Sequence, residues 1–179
     1  MKEFMNKKTR VVQYGLGSIG QEAARSVLKK EKLKLVGAID SDPEKVGKDV
    51  GELLNLGRSL GVIISAVAET VLQSAKADVV LHTTTSQMKD VCPQIMALID
   101  AGVNVISSTE ELFYPKLRNP ERAQEINRKA RERGITVLGT GVNPGFLMDS
   151  LVVALTGVCL EVRKVQATRI VDVASRRLP

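Results

Sequence analysis

Cysteine, histidine and aromatic residues are scarce in this 179-residue chain. Its two cysteines, Cys92 and Cys159, are too few for a disulfide scaffold and lack the close Cys/His spacing of a zinc site, so both read as reduced packing residues. Five aromatic side chains, none of them tryptophan, leave no basic stripe interleaved with stacking rings, which argues against a nucleic-acid partner. The formal net charge of +6 does not change that, because it is concentrated at the termini. Lys2, Lys7, Lys8 and Arg10 against Glu3 supply +3, and Arg176 with Arg177 supplies +2, leaving +1 for everything between. No apolar run approaches the roughly 20 residues of a bilayer span, and the opening Met1 to Lys8 has no apolar signal core. No membrane partner is expected, and the cytoplasm is the expected location.

What the chain does contain is 44% apolar and 26% charged residues, enough for a folded protein with one sizeable core. Valine- and isoleucine-rich runs alternate with helical stretches, the pattern of parallel strands covered on both faces by crossover helices. The predicted strands are Arg10 to Tyr14, Leu33 to Ile39, Val62 to Ile64, Val79 to His82, Asn104 to Ser107 and Thr136 to Leu138. Ile19, Ala23 and Val27 repeat at helical spacing between the first two. Met88, Val91, Ile95 and Leu98 do the same, with Pro93 placing the helix start near Asp90 and Gly102 its end. Asn119, Pro120 and Gly134 delimit a further helix with Ala123, Ile126 and Ala130 on its buried stripe. The expected fold class is α/β, a doubly wound parallel Rossmann sheet in the order 3-2-1-4-5-6.

Gly15-Leu16-Gly17-Ser18-Ile19-Gly20 stands directly after the first strand and opens the first helix. In that context the first glycine permits a tight turn, the second lets a pyrophosphate approach the backbone, the third brings helix close to strand, and free amides bind the anion. A ligand-free glycine turn is the simpler alternative. Asp40 follows Gly20 by 20 residues at the end of the second strand, where a carboxylate accepts from ribose hydroxyls and repels a 2′-phosphate. NAD is therefore the expected cofactor. Lys45 and Lys48 keep NADP in view, and a plain strand-end cap is the other reading of Asp40.

In open parallel sheets ligands bind beyond the carboxyl ends of the strands. Thr83, Thr84 and Thr85 follow the fourth strand and suit either the nicotinamide ribose or ordinary capping. His82 is the only histidine and can titrate near neutrality or simply be a hydrogen-bonded structural residue. Glu110 and Glu111 follow the fifth strand and read either as proton-handling carboxylates or as helix-start acids stabilised by the dipole. Gly141-Val142-Asn143-Pro144-Gly145 joins a turn to an amide side chain able to bond a carboxamide or a substrate.

Val11 to Gly17, Val46-Gly47-Lys48-Asp49-Val50-Gly51-Glu52-Leu53-Leu54, Ser108-Thr109-Glu110-Glu111-Leu112 with Tyr114-Pro115, and Gly139 to Phe146 together resemble the 2,4-diaminopentanoate dehydrogenases and native amine dehydrogenases, within the dihydrodipicolinate reductase-like superfamily. The resemblance implies reversible NAD(P)-dependent oxidative deamination of a small amine or diamine, with a ketone as the partner substrate in the reverse direction. It carries the amine-proton role onto Glu110 or Glu111 and implies Asn143 and Pro144 as nicotinamide contacts. It also implies a second, α+β domain that closes the pocket and forms a homodimer. Residues 1–150 then correspond to the dinucleotide-binding domain, and 151–179 to a connecting helix and the first strand, Leu160 to Val173, of a truncated substrate domain. The chain alone is expected to bind cofactor without turnover. Rival readings are an imine reductase of the dihydrodipicolinate reductase type and a dinucleotide sensor without catalysis.

Overall fold

A computed structural model describes residues 7–172 and Ala174. Six parallel strands form one sheet: β1 (Thr9–Tyr14), β2 (Leu33–Ile39), β3 (Ile64–Ser65), β4 (Val79–His82), β5 (Asn104–Ser107) and β6 (Val137–Gly139). Their spatial order is β3-β2-β1-β4-β5-β6, the doubly wound topology that the alternation of apolar runs predicts. The order reverses at β1, so the crevice between the ends of β1 and β4 is the topological switch point.

Alternation along the strands divides the core into two layers. Val11, Leu35, Ala38 and Ile64 face α1 (Ser18–Leu28) and α2 (Val50–Leu53), packing with Ala24, Val27, Val50 and Leu54. Val12, Ile39, Val80 and Val105 face the other way, onto α3 (Ala68–Ala75), α4 (Met88–Asp100) and α6 (Pro120–Arg133). Helix α4 contributes Met88, Val91, Ile95, Leu98 and Ile99, and α6 contributes Ile126 and Ala130.

Differences from the sequence expectation fall on two short strands, the start of one helix and the segment after α7. Strand β3 is only two residues, shifted toward Ser65, because its single sheet neighbour, β2, pairs only through Ala38 and Ile39. Strand β6 is one residue later than expected, pairing Val105 to Ser107 with Val137 to Gly139. Helix α4 begins at Met88 rather than near Asp90 and carries Pro93 inside it, where the missing N–H forfeits one intrahelical bond. Two further short elements, α5 (Glu110–Phe113) and α7 (Leu151–Thr156), flank the carboxyl end of the sheet. After α7, residues 161–172 pair with no strand, and their apolar side chains, Ile170 among them, stand largely exposed. A strand needs a neighbour to take up its N–H and C=O groups, and none of the described residues provides one. Val173 lies outside the described residues.

Candidate functional site

The glycine loop is shaped by what lies beneath it. Gly15 has φ +88°, and a Cβ there would come within 2.6 Å of the Thr83 carbonyl oxygen. Gly20, in the first turn of α1, faces the Gly15 carbonyl so closely that any Cβ would collide with it. Gln13, wholly buried on β1, donates from Nε2 to the Gly15 carbonyl (2.9 Å) and to Thr83 Oγ1 (2.8 Å), and Thr83 Oγ1 in turn donates to Gly15 O (2.9 Å). The loop is thus braced from the ends of both β1 and β4. Helix α1 starts after Gly17 with no side-chain cap and no acid in its first turn, and Ser18 and Ile19 are exposed. Unsatisfied amides facing outward at a helix start are an anion site. Leu16 makes no such offer: its side chain is fully buried and its N–H is already committed.

That commitment is to Asp40. Its Oδ2 accepts from Leu16 N–H at 2.6 Å and its Oδ1 from Asp42 N–H at 2.9 Å. Lys45 Nζ lies 3.5 Å from Asp40 Oδ2 and 3.0 Å from Asp42 Oδ2. Partial burial works against the Lys45 charge, but the two carboxylates outweigh it and hold its pKa above the ordinary lysine value. Asp40 therefore caps the strand end and still lines a cavity of about 270 Å³ with Tyr14, Gly15, Gly17, Ser41 and Lys45. Glycines whose added Cβ would collide with neighbouring backbone or side-chain atoms, outward amides and a carboxylate at the end of β2 fit the diphosphate and ribose of a dinucleotide.

A second cleft, about 620 Å³, opens along the carboxyl ends of β4, β5 and β6. Thr83, Thr84, Thr85, Ile19, Asn143 and Pro144 all line it. Asn143, Pro144 and Gly145 break the helical geometry of the wide turn Val142–Ser150, and the Asn143–Pro144 peptide is cis. Gly145 N–H donates to Asp149 Oδ2 (2.8 Å) and Ser150 Oγ to Gly145 O (2.8 Å), fixing that turn over the cleft.

The two neighbouring glutamates part company here. Glu110 is exposed, lines this cleft and has no hydrogen bond or ion pair among the described residues. Glu111 does not line this cleft, though it shares a neighbouring cavity of about 330 Å³ with Glu110 and Pro144; it accepts from the N–H of Met88 at 2.7 Å, capping α4, whose own N-cap residue Gln87 makes no side-chain bond. Below the cleft floor His82 is fully buried, bonded to Ser107 and Gln94 and edge-on to Tyr14 with ring centroids 5.2 Å apart. Burial pushes its imidazole below the ordinary value, against the opposing bond with Gln94. A larger cavity, about 850 Å³, lies elsewhere, between α6 and the edge strand β6, and is lined mainly by apolar residues such as Leu112, Ile126 and Val137.

Two contributors carry no sequence signal. Gln94 is a lone polar residue inside the apolar stripe of α4, and Arg169, from the unpaired segment after α7, lines the same cleft as Glu110. Asp49, by contrast, lies in one of the quoted motifs. Its carboxylate accepts from Gly51, Leu60 and Val62 N–H and from Ser59 Oγ, tying down the loop before β3.

Known proteins place this geometry. Residues 9–139 match the family described as dihydrodipicolinate reductase, N-terminus. The chain is 37% identical over 166 residues to 2,4-diaminopentanoate dehydrogenase of Acetoanaerobium sticklandii, covering 92% of this chain and 46% of that protein. It is 28% identical over 171 residues to an amine dehydrogenase of Streptomyces virginiae, covering 94% of this chain and 47% of the other. Among solved structures, the amine dehydrogenase of Mycobacterium smegmatis superposes with a TM-score of 0.79 at 34% identity, over 86% of this chain and 45% of that one. The chain spans about half the length of these relatives. A Rossmann sheet, a phosphate-ready glycine loop and a family match over most of the chain lead to one statement: this chain belongs to the dihydrodipicolinate reductase N-terminal family of NAD(P)-binding dehydrogenase domains.

Proposed function

We propose that the protein to which this chain contributes its dinucleotide domain catalyses reversible oxidative deamination of a small amine, with a diamino acid of the 2,4-diaminopentanoate type as the favoured substrate and NAD as the favoured cofactor. The observation that carries this reading is the division of labour between the two glutamates. Glu111 is occupied by the Met88 amide, whereas Glu110 stands free in the cleft that also holds Asn143 and Pro144. A free carboxylate at that position can take the proton from a substrate ammonium, leaving the neutral amine from which hydride departs. Nicotinamide, when bound, supplies the hydride acceptor. The Asn143 amide offers both a donor and an acceptor for holding the reacting groups in orientation. Arg169 has no ion pair among the described residues and lines the same cleft as Glu110, so the cleft offers both an anion and a cation. That pair complements a molecule carrying both an ammonium and a carboxylate.

The test uses the product of the complete coding sequence, with NADH formation followed at 340 nm on short amines, diamines and diamino acids. Glu110→Gln should lower turnover roughly 10²-fold or more while Glu111→Gln stays within a few-fold, as expected for loss of a general base at one position only. Normal turnover in Glu110→Gln would remove the carboxylate mechanism. Reduction of cyclic imines with open-chain amines ignored would transfer the assignment to an imine reductase.

A further inference from the structure

We propose that His82 is a positioning residue for the nicotinamide half of the cofactor cleft, acting through a directed relay from its Nδ1–H to Ser107, from Ser107 to Thr109, and from Thr109 to the Thr85 carbonyl. The direction follows from counting hydrogens. Thr109 Oγ1 lies 2.8 Å from the Thr85 carbonyl oxygen, a group that only accepts, so the Thr109 hydroxyl hydrogen is committed there. Ser107 Oγ lies 3.0 Å from Thr109 Oγ1, which has no hydrogen left, so Ser107 donates to Thr109. Ser107 then has none for His82 Nδ1 at 3.0 Å, and the ring must be the donor. The Thr109 N–H completes the Ser107 oxygen at 3.2 Å. On the other side of the ring, Nε2 lies 2.7 Å from Gln94 Oε1 and 3.2 Å from Thr84 Oγ1, and Thr84 Oγ1 is 2.8 Å from Gln94 Oε1; a neutral ring with its hydrogen on Nδ1 accepts at Nε2, so the relay requires the Gln94 amide turned end for end, its nitrogen donating to the ring.

The relay differs from an ordinary satisfied core histidine in where its ends emerge. Gln94 and Thr84 line the Asp40 cavity, and Thr85 lines the cleft of Glu110, Asn143 and Pro144. Ser107 and Thr109 are almost wholly buried, and Thr109 immediately precedes Glu110. One chain of side chains therefore sets the orientation of the Thr85 carbonyl and of the turn bearing Glu110. Deleting the ring leaves the Ser107 oxygen a donor short and removes the side chain that holds Ser107 in place, so Ser107 and Thr109 are free to reorient and the hold on the Thr85 carbonyl loosens, while Asp40 and the glycine loop keep their own bonds. The effect should fall on the nicotinamide riboside, not on the adenosine diphosphate.

This inference rests on the assignment of the Thr85–Asn143 cleft to nicotinamide and is independent of deamination. The experiment titrates NADH and ADP-ribose against the chain and three variants. His82→Leu and Thr109→Val should each weaken NADH about tenfold, the worth of one buried hydrogen bond, with ADP-ribose changed by less than about twofold. His82→Asn, whose amide nitrogen can take the place of Nδ1–H, should retain NADH affinity. Equal weakening of both ligands, no change in either, or an Asn variant that behaves like Leu would each overturn the relay. If His82→Leu fails to fold, the near-isosteric Thr109→Val still decides the matter. NADH and ADP-ribose binding alike to the unmodified chain would overturn the cleft assignment and the relay with it, a result distinct from variant-specific failure.

Discussion

Replacing Glu111 by alanine should cost stability, whereas the same change one residue earlier should not. Glu111 Oε2 receives the Met88 N–H at 2.7 Å, and Met88 is fully buried at the first position of α4. With the carboxylate gone, no other described side chain replaces it, since Gln87 makes no capping bond. A hydrogen bond to a charged acceptor is worth about 1.5–3 kcal/mol, and helix capping by itself about 0.5–2 kcal/mol. The two describe the same contact and do not add, so about 2 kcal/mol is the expected loss, slightly augmented by the favourable placement of negative charge at a helix start. For a chain of this size about 1 kcal/mol moves Tm by roughly 2–4 °C, which makes the expected drop about 4–8 °C. Glu111→Gln keeps an acceptor oxygen and should lose about half as much. Glu110→Ala removes an exposed side chain with no bond among the described residues and should stay within about 0.5 kcal/mol. Thermal unfolding followed by circular dichroism at neutral pH measures all three. Equal Tm values for Glu111→Ala and the parent chain, or equal losses at 110 and 111, would refute the cap and with it the separation of roles.

Two further outcomes follow from the cofactor edge of the sheet. Asp40→Ser should weaken NADH about tenfold and relieve the repulsion of NADPH, read by fluorescence titration; it should also lower stability by about 1–2 kcal/mol, because Leu16 N–H loses its acceptor. Unchanged affinity for both dinucleotides would remove Asp40 from the site. For Asp49, desolvation raises the carboxyl pKa, but the bonds from Leu60, Gly51, Ser59 and Val62 prevail and lower it. Its folded value then lies below the unfolded value of about 3.9, so its contribution is present above that pH and is lost as pH falls through the folded value. Urea midpoints should show Asp49→Asn less stable than the parent at pH 6, with the gap narrowing toward pH 3; a constant gap would contradict the assignment.

The long elements were legible because each carries its own period. Strands β1, β2, β4 and β5 have enough valine, leucine and isoleucine to declare themselves, and the stripe Ala123-Ile126-Ala130 marks α6 without help. Strand β3 is different: with two residues it exists only through its pairing with Ala38 and Ile39 and the loop that Asp49 gathers, which no local pattern encodes. In the site, the glycine loop and Asp40 could be read from spacing alone, since strand, turn and helix succeed one another within one unit. The separation of Glu110 from Glu111 could not, because it depends on an amide 23 residues away in another element. The unpaired run after Leu160 shows the reverse limit. Its β-forming composition states a preference that only a neighbouring strand can realise.

The bracing beneath the glycine loop bears on how quickly and how reproducibly a dinucleotide can be captured. Gln13 and Thr83 hold the Gly15 carbonyl from below, while Asp40 holds Leu16 N–H from the side, so the ends of β1, β2 and β4 converge on one short turn. A loop cross-tied in this way is already in its receiving shape before any anion arrives, and little conformational freedom remains to be lost on association. Recognition of the diphosphate becomes a matter of docking to a rigid mould, and motion is left to the part of the cleft that lacks such ties, the unpaired segment bearing Arg169.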